Sequence, residues 1–181
     1  MGTVNCTKAC WDIMREQAYG RIVVTTSSSG LYGNFGQTNY GSAKMGVIGL
    51  MNTLVQEGAK YNIRVNALAP TAGTRMTEGL IPEEAFALLT PETVTPAVLY
   101  MVSEDSPNRT ILCAGAGAYS IAKIVETDGA WLTPEDQTPE GIAANWEAIT
   151  SPEGEALPQA GFEQTVKFTG KAIEGLGADN S

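Results

Sequence analysis

Apolar and polar positions along this chain follow two rhythms, and their order defines the elements. Between Met1 and Gln17, Val4, Ala9, Trp11, Ile13 and Met14 interleave with Lys8, Asp12 and Arg15, a helical spacing closed by Gly20. Arg21–Thr26 is an unbroken β-branched run bounded by turn residues, which predicts a short buried strand. Ser27–Gly36 is rich in Ser and Gly and predicts a loop. From about Thr38 to Tyr61 the helical rhythm returns, with Met45, Val47, Ile48, Leu50, Met51, Leu54 and Val55. That apolar surface is too wide for one buried stripe, so a second covering surface is expected. Ile63–Ala69 is the next strand. Strand, crossover helix and strand in this order predict two parallel strands in one sheet.

The pattern weakens afterwards. Pro70–Thr74 reads as a loop, and Met76–Leu89 carries apolar residues without a clean period. Pro91–Val102 predicts a helix with Pro91 in its first turn. Thr110–Ala114 predicts a last short strand. Gly115-Ala116-Gly117 lacks the continuation of a phosphate loop and reads as a close-packed turn. From about Thr127 the composition shifts. Two Thr-Pro-Glu starts follow, the second capping a helix with Ile142, Asn145, Trp146 and Ile149 at helical spacing. Ser151–Gly161 reads as a linker, and Phe162–Leu176 as one more amphipathic helix. The division expected is 1–126 and 127–181, with an α/β first part.

Composition narrows the possible functions. The 181 residues are 43% hydrophobic and 17% charged, ordinary for a globular core. A net charge of −9 argues against a nucleic-acid partner, because phosphate backbones require clustered Lys and Arg. No stretch reaches eighteen continuous apolar residues, and the N-terminus lacks a basic region followed by an apolar run. A soluble chain is expected, cytoplasmic or, alternatively, peroxisomal. Of the three cysteines, Cys6 and Cys10 lie one helical turn apart and Cys113 stands alone. Reduced, buried thiols are expected rather than a disulfide framework. With no histidine and no close cysteine pair, no metal site is expected.

Candidate chemistry concentrates between Arg21 and Lys44. Tyr40 and Lys44 are four residues apart, so on a helix they share a face. Ser27 lies at the end of the predicted strand, where open α/β sheets place their chemistry. A free tyrosine titrates near ~10. An ammonium fixed beside it favours the phenolate and lowers that value. Tyr40 can then exchange a proton with an alcohol or carbonyl oxygen, which the Ser27 hydroxyl hydrogen-bonds and polarises. Without histidine, nothing makes a nucleophile of the serine. A solvent-facing pair on an ordinary helix would account for Tyr40 and Lys44 alone. A chance Y-x-x-x-K arises roughly 0.2 times in such a chain, and a serine at the required place cuts that to roughly 0.01.

Ser27, Tyr40 and Lys44 resemble the Ser/Tyr/Lys set of the short-chain dehydrogenases/reductases. The wording GLYGNFGQTNYGSAK followed by IRVNALAPTAGTRMTE is similar to the 3-hydroxyacyl-CoA dehydrogenase unit of the type 2 multifunctional enzymes. The 3-oxoacyl-carrier-protein reductases share GNxGQxNY and are the nearest competitor. The resemblance covers roughly Gly2–Lys123. It implies an NAD- or NADP-dependent oxidoreductase that interconverts a hydroxyl and a ketone on an acyl thioester. Tyr40 would be the acid/base, Lys44 its tuner and the ribose ligand, and Ser27 the group orienting the oxygen. It further implies that Pro70, Thr71, Ala72, Gly73 and Thr74 touch the nicotinamide end of the cofactor. Ser29 and Gln37 would face substrate, and Met76–Leu89 would form a flap over it. Here Thr71 follows the proline where the family more often has glycine. The helix 38–61 would pack against a partner, as a homodimer or a heteromeric pair.

A dinucleotide fold has two halves, the first carrying a glycine-rich phosphate turn and, about 20 residues on, the residue that selects NAD or NADP. Neither occurs in this sequence. The fold expected is therefore a partial Rossmann-type, doubly wound parallel sheet lacking the N-terminal mononucleotide-binding half, with an exposed sheet edge. A non-catalytic remnant, stable only when paired with a fuller partner, is the competing reading.

Overall fold

The computed structural model describes residues 1–74, 79 and 82–178 and falls into two compact units, Met1–Ala122 and Lys123–Ser181. The first is built on a four-stranded sheet in sequential order. β1 (Gly20–Thr25) pairs in parallel with β2 (Ile63–Pro70), and β2 in parallel with β3 (Ile111–Gly115). β4 (Ala118–Ala122) returns antiparallel on β3. Ala116 and Gly117 join these last two, both at positive φ, as a two-residue hairpin turn with the twist of its strands requires. The sequence pattern did not anticipate β4.

Alternation along the strands divides the core between the two sheet faces. On one side Val24, Val65, Ala67 and Ile111 meet Ile48, Met51, Leu54 and Val55 of α3 (Thr38–Gly58). Trp11 and Met14 of α1 (Gly2–Glu16) pack on the same cluster. On the other, Leu68 and Ala114 meet Ala97 and Met101 of α5 (Thr95–Val102), with Val23 at the margin. Helices on both faces make the sheet doubly wound, as its near-continuous apolar strands require.

Buried polar groups hold the loop between α5 and β3. Asn66 is fully buried; its amide donates to the Pro107 carbonyl at 2.7 Å and accepts from the Thr110 N–H at 3.0 Å. Arg21 gives its guanidinium to the carbonyls of Gly20, Asn62, Ser103 and Glu104. In the short 3-10 turn after α3, Tyr61 receives the Arg15 guanidinium at 3.1 Å, a hydrogen bond that pushes its phenol below the usual range.

Several local expectations change. The stretch Ser27–Gly36 is not all loop, because Ser28–Tyr32 forms the short helix α2. Cys6 and Cys10 are exposed on α1 and Cys113 is half-buried, so the expectation of buried thiols fails for the first two. All three are free. Residues 76–78, 80 and 81 of the expected flap lie outside the described residues; Glu83–Leu88 forms a helix, α4.

The second unit is helical. Thr138 caps α6 (Pro139–Ala144) through its hydroxyl, which accepts from the Gly141 N–H at 3.0 Å. Asn145 interrupts the predicted single helix, and α7 (Trp146–Thr150) follows. α8 (Gly161–Ala178) carries Lys167, which pairs with Glu126, and Lys171, which pairs with Asp128 at 2.6 Å. Among the described residues no helix is long and apolar enough to cross a membrane.

Candidate active site

β1 ends at Thr25, and the chain turns at Ser27 in an extended conformation, φ −161° and ψ 153°. The Ser27 hydroxyl oxygen caps α2 by accepting from the Ser29 N–H at 3.2 Å. Thr25 pairs with Leu68 in the parallel register, so Ser27 and Pro70 are each two residues past that last pair. The turn after each strand therefore opens at the carboxyl edge of the sheet, where α/β folds bind ligands.

Tyr40 and Lys44 occupy successive turns of α3. The Lys44 ammonium lies 5.6 Å from the centre of the Tyr40 ring and donates to the Thr25 carbonyl at 3.0 Å. A four-carbon stem left free would sweep a wide volume; here a strand end holds its charge beside the phenol. Tyr40 is 43% exposed, open to an incoming ligand. Tyr40, Lys44 and the end of the Ser27 strand are thus brought together.

What holds them was not legible as chemistry. Thr26, 1% exposed, donates its hydroxyl to the Lys44 carbonyl at 2.7 Å, while its N–H continues the ladder to Leu68 at 2.8 Å. Gly30 lets α2 lie directly on α3: a Cβ there would come within 2.7 Å of the Lys44 Cβ and 3.0 Å of its carbonyl carbon. Gly41 answers from the other helix, where a Cβ would sit 3.1 Å from the Ser29 carbonyl. The only sequence signal for this contact was a glycine among the serines of the turn.

The remaining candidates are placed as follows. Pro70 closes β2, and the Thr71 N–H extends its pairing to the Ala114 carbonyl at 2.8 Å. Gly115 lies so close to Thr71 that a Cβ would approach its carbonyl to 2.5 Å. Ala72 is half-buried on the α5 cluster, and Gly73 sits against Phe86 and Leu89 of the α4 segment. Thr74 is exposed. Gln37 precedes α3 with its side-chain oxygen buried and unpartnered among the described residues; Ser29 is half-buried in α2. No group of three or more His, Cys, Asp or Glu among the described residues could hold a metal. The donor set is instead a phenol, an ammonium with a single carbonyl acceptor, and a hydroxyl. That set suits the hydroxyl-rich ribose and amide of a nicotinamide nucleoside.

A strand, a capped turn and a helix carrying Tyr40 and Lys44 meet at the carboxyl edge of an α/β sheet. The family described as short chain dehydrogenase matches residues 1–85. The chain is 47% identical over 165 residues to a putative short-chain type dehydrogenase/reductase of Mycobacterium tuberculosis, spanning 90% of this chain and 56% of that protein. It is 44% identical over 167 residues to the mouse peroxisomal multifunctional enzyme type 2, spanning 23% of it. The solved full-length peroxisomal multifunctional enzyme type 2 of Drosophila melanogaster superimposes with a TM-score of 0.84 at 35% identity, over 97% of this chain and 32% of that one. The first 85 residues thus match the short chain dehydrogenase family, and the chain spans about half the length of its mycobacterial relative.

Proposed function

We propose that this chain is the catalytic portion of an NAD(P)-dependent oxidoreductase that interconverts the hydroxyl and ketone of a 3-hydroxyacyl thioester. One observation carries the reading: the Lys44 ammonium, anchored on the Thr25 carbonyl beside the Tyr40 ring, at the end of the strand that leads to Ser27. Similarity to acetoacetyl-CoA reductases, 39% and 42% identical over 116 and 110 residues, supports a coenzyme A thioester; a 3-oxoacyl-[acyl-carrier protein] reductase, the competing reading, overlays 66% of the chain with a TM-score of 0.57.

NAD(P), when bound, supplies the hydride acceptor. In the oxidative direction the Ser27 hydroxyl donates to the substrate oxygen and fixes its lone pairs. The Tyr40 phenolate oxygen takes the hydroxyl proton as the C3–H electron pair leaves, and the C–O bond becomes a carbonyl. The Lys44 ammonium beside the ring offsets negative charge that develops at the Tyr40 oxygen during the reaction and donates to the ribose hydroxyls. Thr71, Ala72, Gly73 and Thr74 border the nicotinamide end. The exposed face of α3, with Met45, Gly46 and Gly49, is the surface for subunit pairing.

The test is hydride transfer from a 3-hydroxyacyl-CoA, followed by nicotinamide absorbance, with the chain alone and with the remaining part of the family domain added as a separate polypeptide. Turnover is expected in the complemented form, and Tyr40→Phe should lower kcat by about 10²–10⁴-fold with KM nearly unchanged. Full activity in that variant would reject Tyr40 as the proton carrier. No turnover in either form would favour a non-catalytic interaction subunit.

A further inference from the structure

Tyr40 and Lys44 move together, because one helix carries both. Ser27 does not move with them: it stands at the end of the β1 strand, and a substrate oxygen has to reach Ser27 and Tyr40 at once. The working geometry therefore depends on how α3 is set against β1, which spacing along a helix does nothing to fix. A slip of one residue along α3 is about 1.5 Å of translation and about 100° of rotation.

Two polar ties cross from this strand end to Lys44, and they differ in stiffness. The ammonium donates to the Thr25 carbonyl at 3.0 Å through a flexible four-carbon stem, which lets the helix slide while the bond survives. The Thr26 hydroxyl donates to the Lys44 carbonyl at 2.7 Å. It hangs from Thr26 by a single torsion, and a β-branched side chain is stiff there. The backbone behind it is pinned, since the Thr26 N–H donates to the Leu68 carbonyl at 2.8 Å. Thr26 is 1% exposed, so water does not compete for the bond. By helix geometry the Lys44 carbonyl also meets the Ile48 N–H, and its second lone pair is the one that serves the hydroxyl. Gly30 and Gly41 bring α2 against the same part of α3, but van der Waals contact has no direction: it sets the distance between the helices and leaves sliding open.

We propose that Thr26 is a positioning residue: its hydroxyl, bonded to the Lys44 carbonyl, holds the Tyr40 helix at the working distance from Ser27. Ser27 is the next residue in the chain, so one stiff bond joins the backbone beside the first reacting hydroxyl to the helix that carries the second. The inference rests on the reading of Ser27, Tyr40 and Lys44 as the catalytic groups, and extends it to a residue that touches no reactant. A core threonine with a satisfied hydroxyl is the plainer account of the same contact. The two differ in what loss of the hydroxyl changes. From a core it costs stability alone; from a positioning bond it costs transition-state stabilisation while binding of the ground state persists.

The test is kinetic, with a 3-hydroxyacyl-CoA and whichever form turns over, the chain alone or complemented. Thr26→Val keeps the shape and removes the donor. Its kcat should fall about 10–10²-fold with KM within about twofold, the loss that a misplacement of about 1 Å brings. Thr26→Ser returns the hydroxyl without the methyl and should recover kcat to within about threefold of the parent. In a Ser27→Ala background Thr26→Val should cost less than about threefold, because the group it aligned is gone. Amide exchange across Thr38–Gly58 like the parent's checks that the fold survives. Should valine disturb it, Thr26→Cys, smaller and only a weak donor, replaces valine in the same comparison with the same expected order. An unchanged kcat in Thr26→Val, no recovery with serine, or an equal loss with and without Ser27 would each overturn the proposal. The catalytic reading fails by other results. If Tyr40→Phe turns over like the parent, or if neither form of the parent turns over, that reading falls and takes the positioning role with it. Thr26→Val at full rate with Tyr40→Phe silent removes the positioning role alone.

Discussion

Residues 1–122 and 123–178 hold themselves together by different means. In the first unit, Ile48, Met51, Ile63, Val65 and Met101 lose nearly all contact with water, and two apolar clusters clamp the sheet between helices. In the second, no described residue is buried to that degree. Beside the Trp131 ring, which packs on Gly175, a line of polar contacts runs along α8. Gln164 donates to Glu126 at 2.8 Å, Lys167 to the Thr127 carbonyl at 2.8 Å and to Glu126, and Lys171 to Asp128 at 2.6 Å. Side chains three and four apart on α8 thus read three consecutive residues of an extended segment. Burial scales with area and is not weakened by ionic screening, whereas exposed ion pairs are weak singly and respond to salt and pH. One chain therefore contains a unit with a buried apolar core and another whose described residues are at most half-buried and are linked along α8 by charged side chains.

That contrast can be broken from either side, and the largest effect belongs to the packed unit. Ile48→Ala should destabilise the first unit by about 2–5 kcal/mol, read as a lower denaturation midpoint with amide exchange in α8 unchanged. Gly30→Ala should cost about 1–3 kcal/mol, because α2 must lift from the Lys44 backbone; faster exchange across Ser28–Tyr32 would report it. In the second unit, Thr138→Ala should cost about 1 kcal/mol through the lost cap on α6, with the first unit's midpoint unmoved. The smallest effect is also the most diagnostic. Hydrogen bonds from Lys167 and then Gln164 hold the Glu126 carboxyl below its ordinary value. Its contribution is fully present above the unfolded carboxylate range and is lost as pH falls through the lowered folded value. Exchange in α8 should therefore accelerate in mild acid, high salt should mimic this, and Lys167→Met should remove the pH response. An α8 indifferent to pH would mean that packing, not charge, orders the second unit as well.

The first unit was also the more legible one. Parallel β1 and β2 joined through α3 followed from β-branched runs flanking a helical rhythm, because burial on both faces leaves a strong, periodic signature. Tyr40 and Lys44 could be placed on one helix face by spacing alone. Thr26 could not be assigned, since its hydroxyl meets a carbonyl eighteen residues away and no local pattern encodes such a contact. β4 was missed because it is short and mostly exposed, so its side chains carry little apolar contrast. Cys6 and Cys10 were misjudged because their spacing argued against a disulfide but carried no information on burial, and both lie on the exposed side of α1. The split at Asn145 was equally hidden, since its amide turns back to the Gly141 carbonyl at 2.9 Å without disturbing the helical spacing on either side.

The pairing of Arg15 with Tyr61 bears on how this chain is studied optically. Hydrogen bonds from Arg15 and then Lys60 ease the ionisation of the Tyr61 phenol, and Tyr61 in turn raises the Arg15 guanidinium. Ultraviolet difference spectra of the unmodified chain will therefore contain an early phenolate component from the turn that follows α3. A Tyr61→Phe background removes that component and leaves the signal of the other five tyrosines, Tyr40 among them.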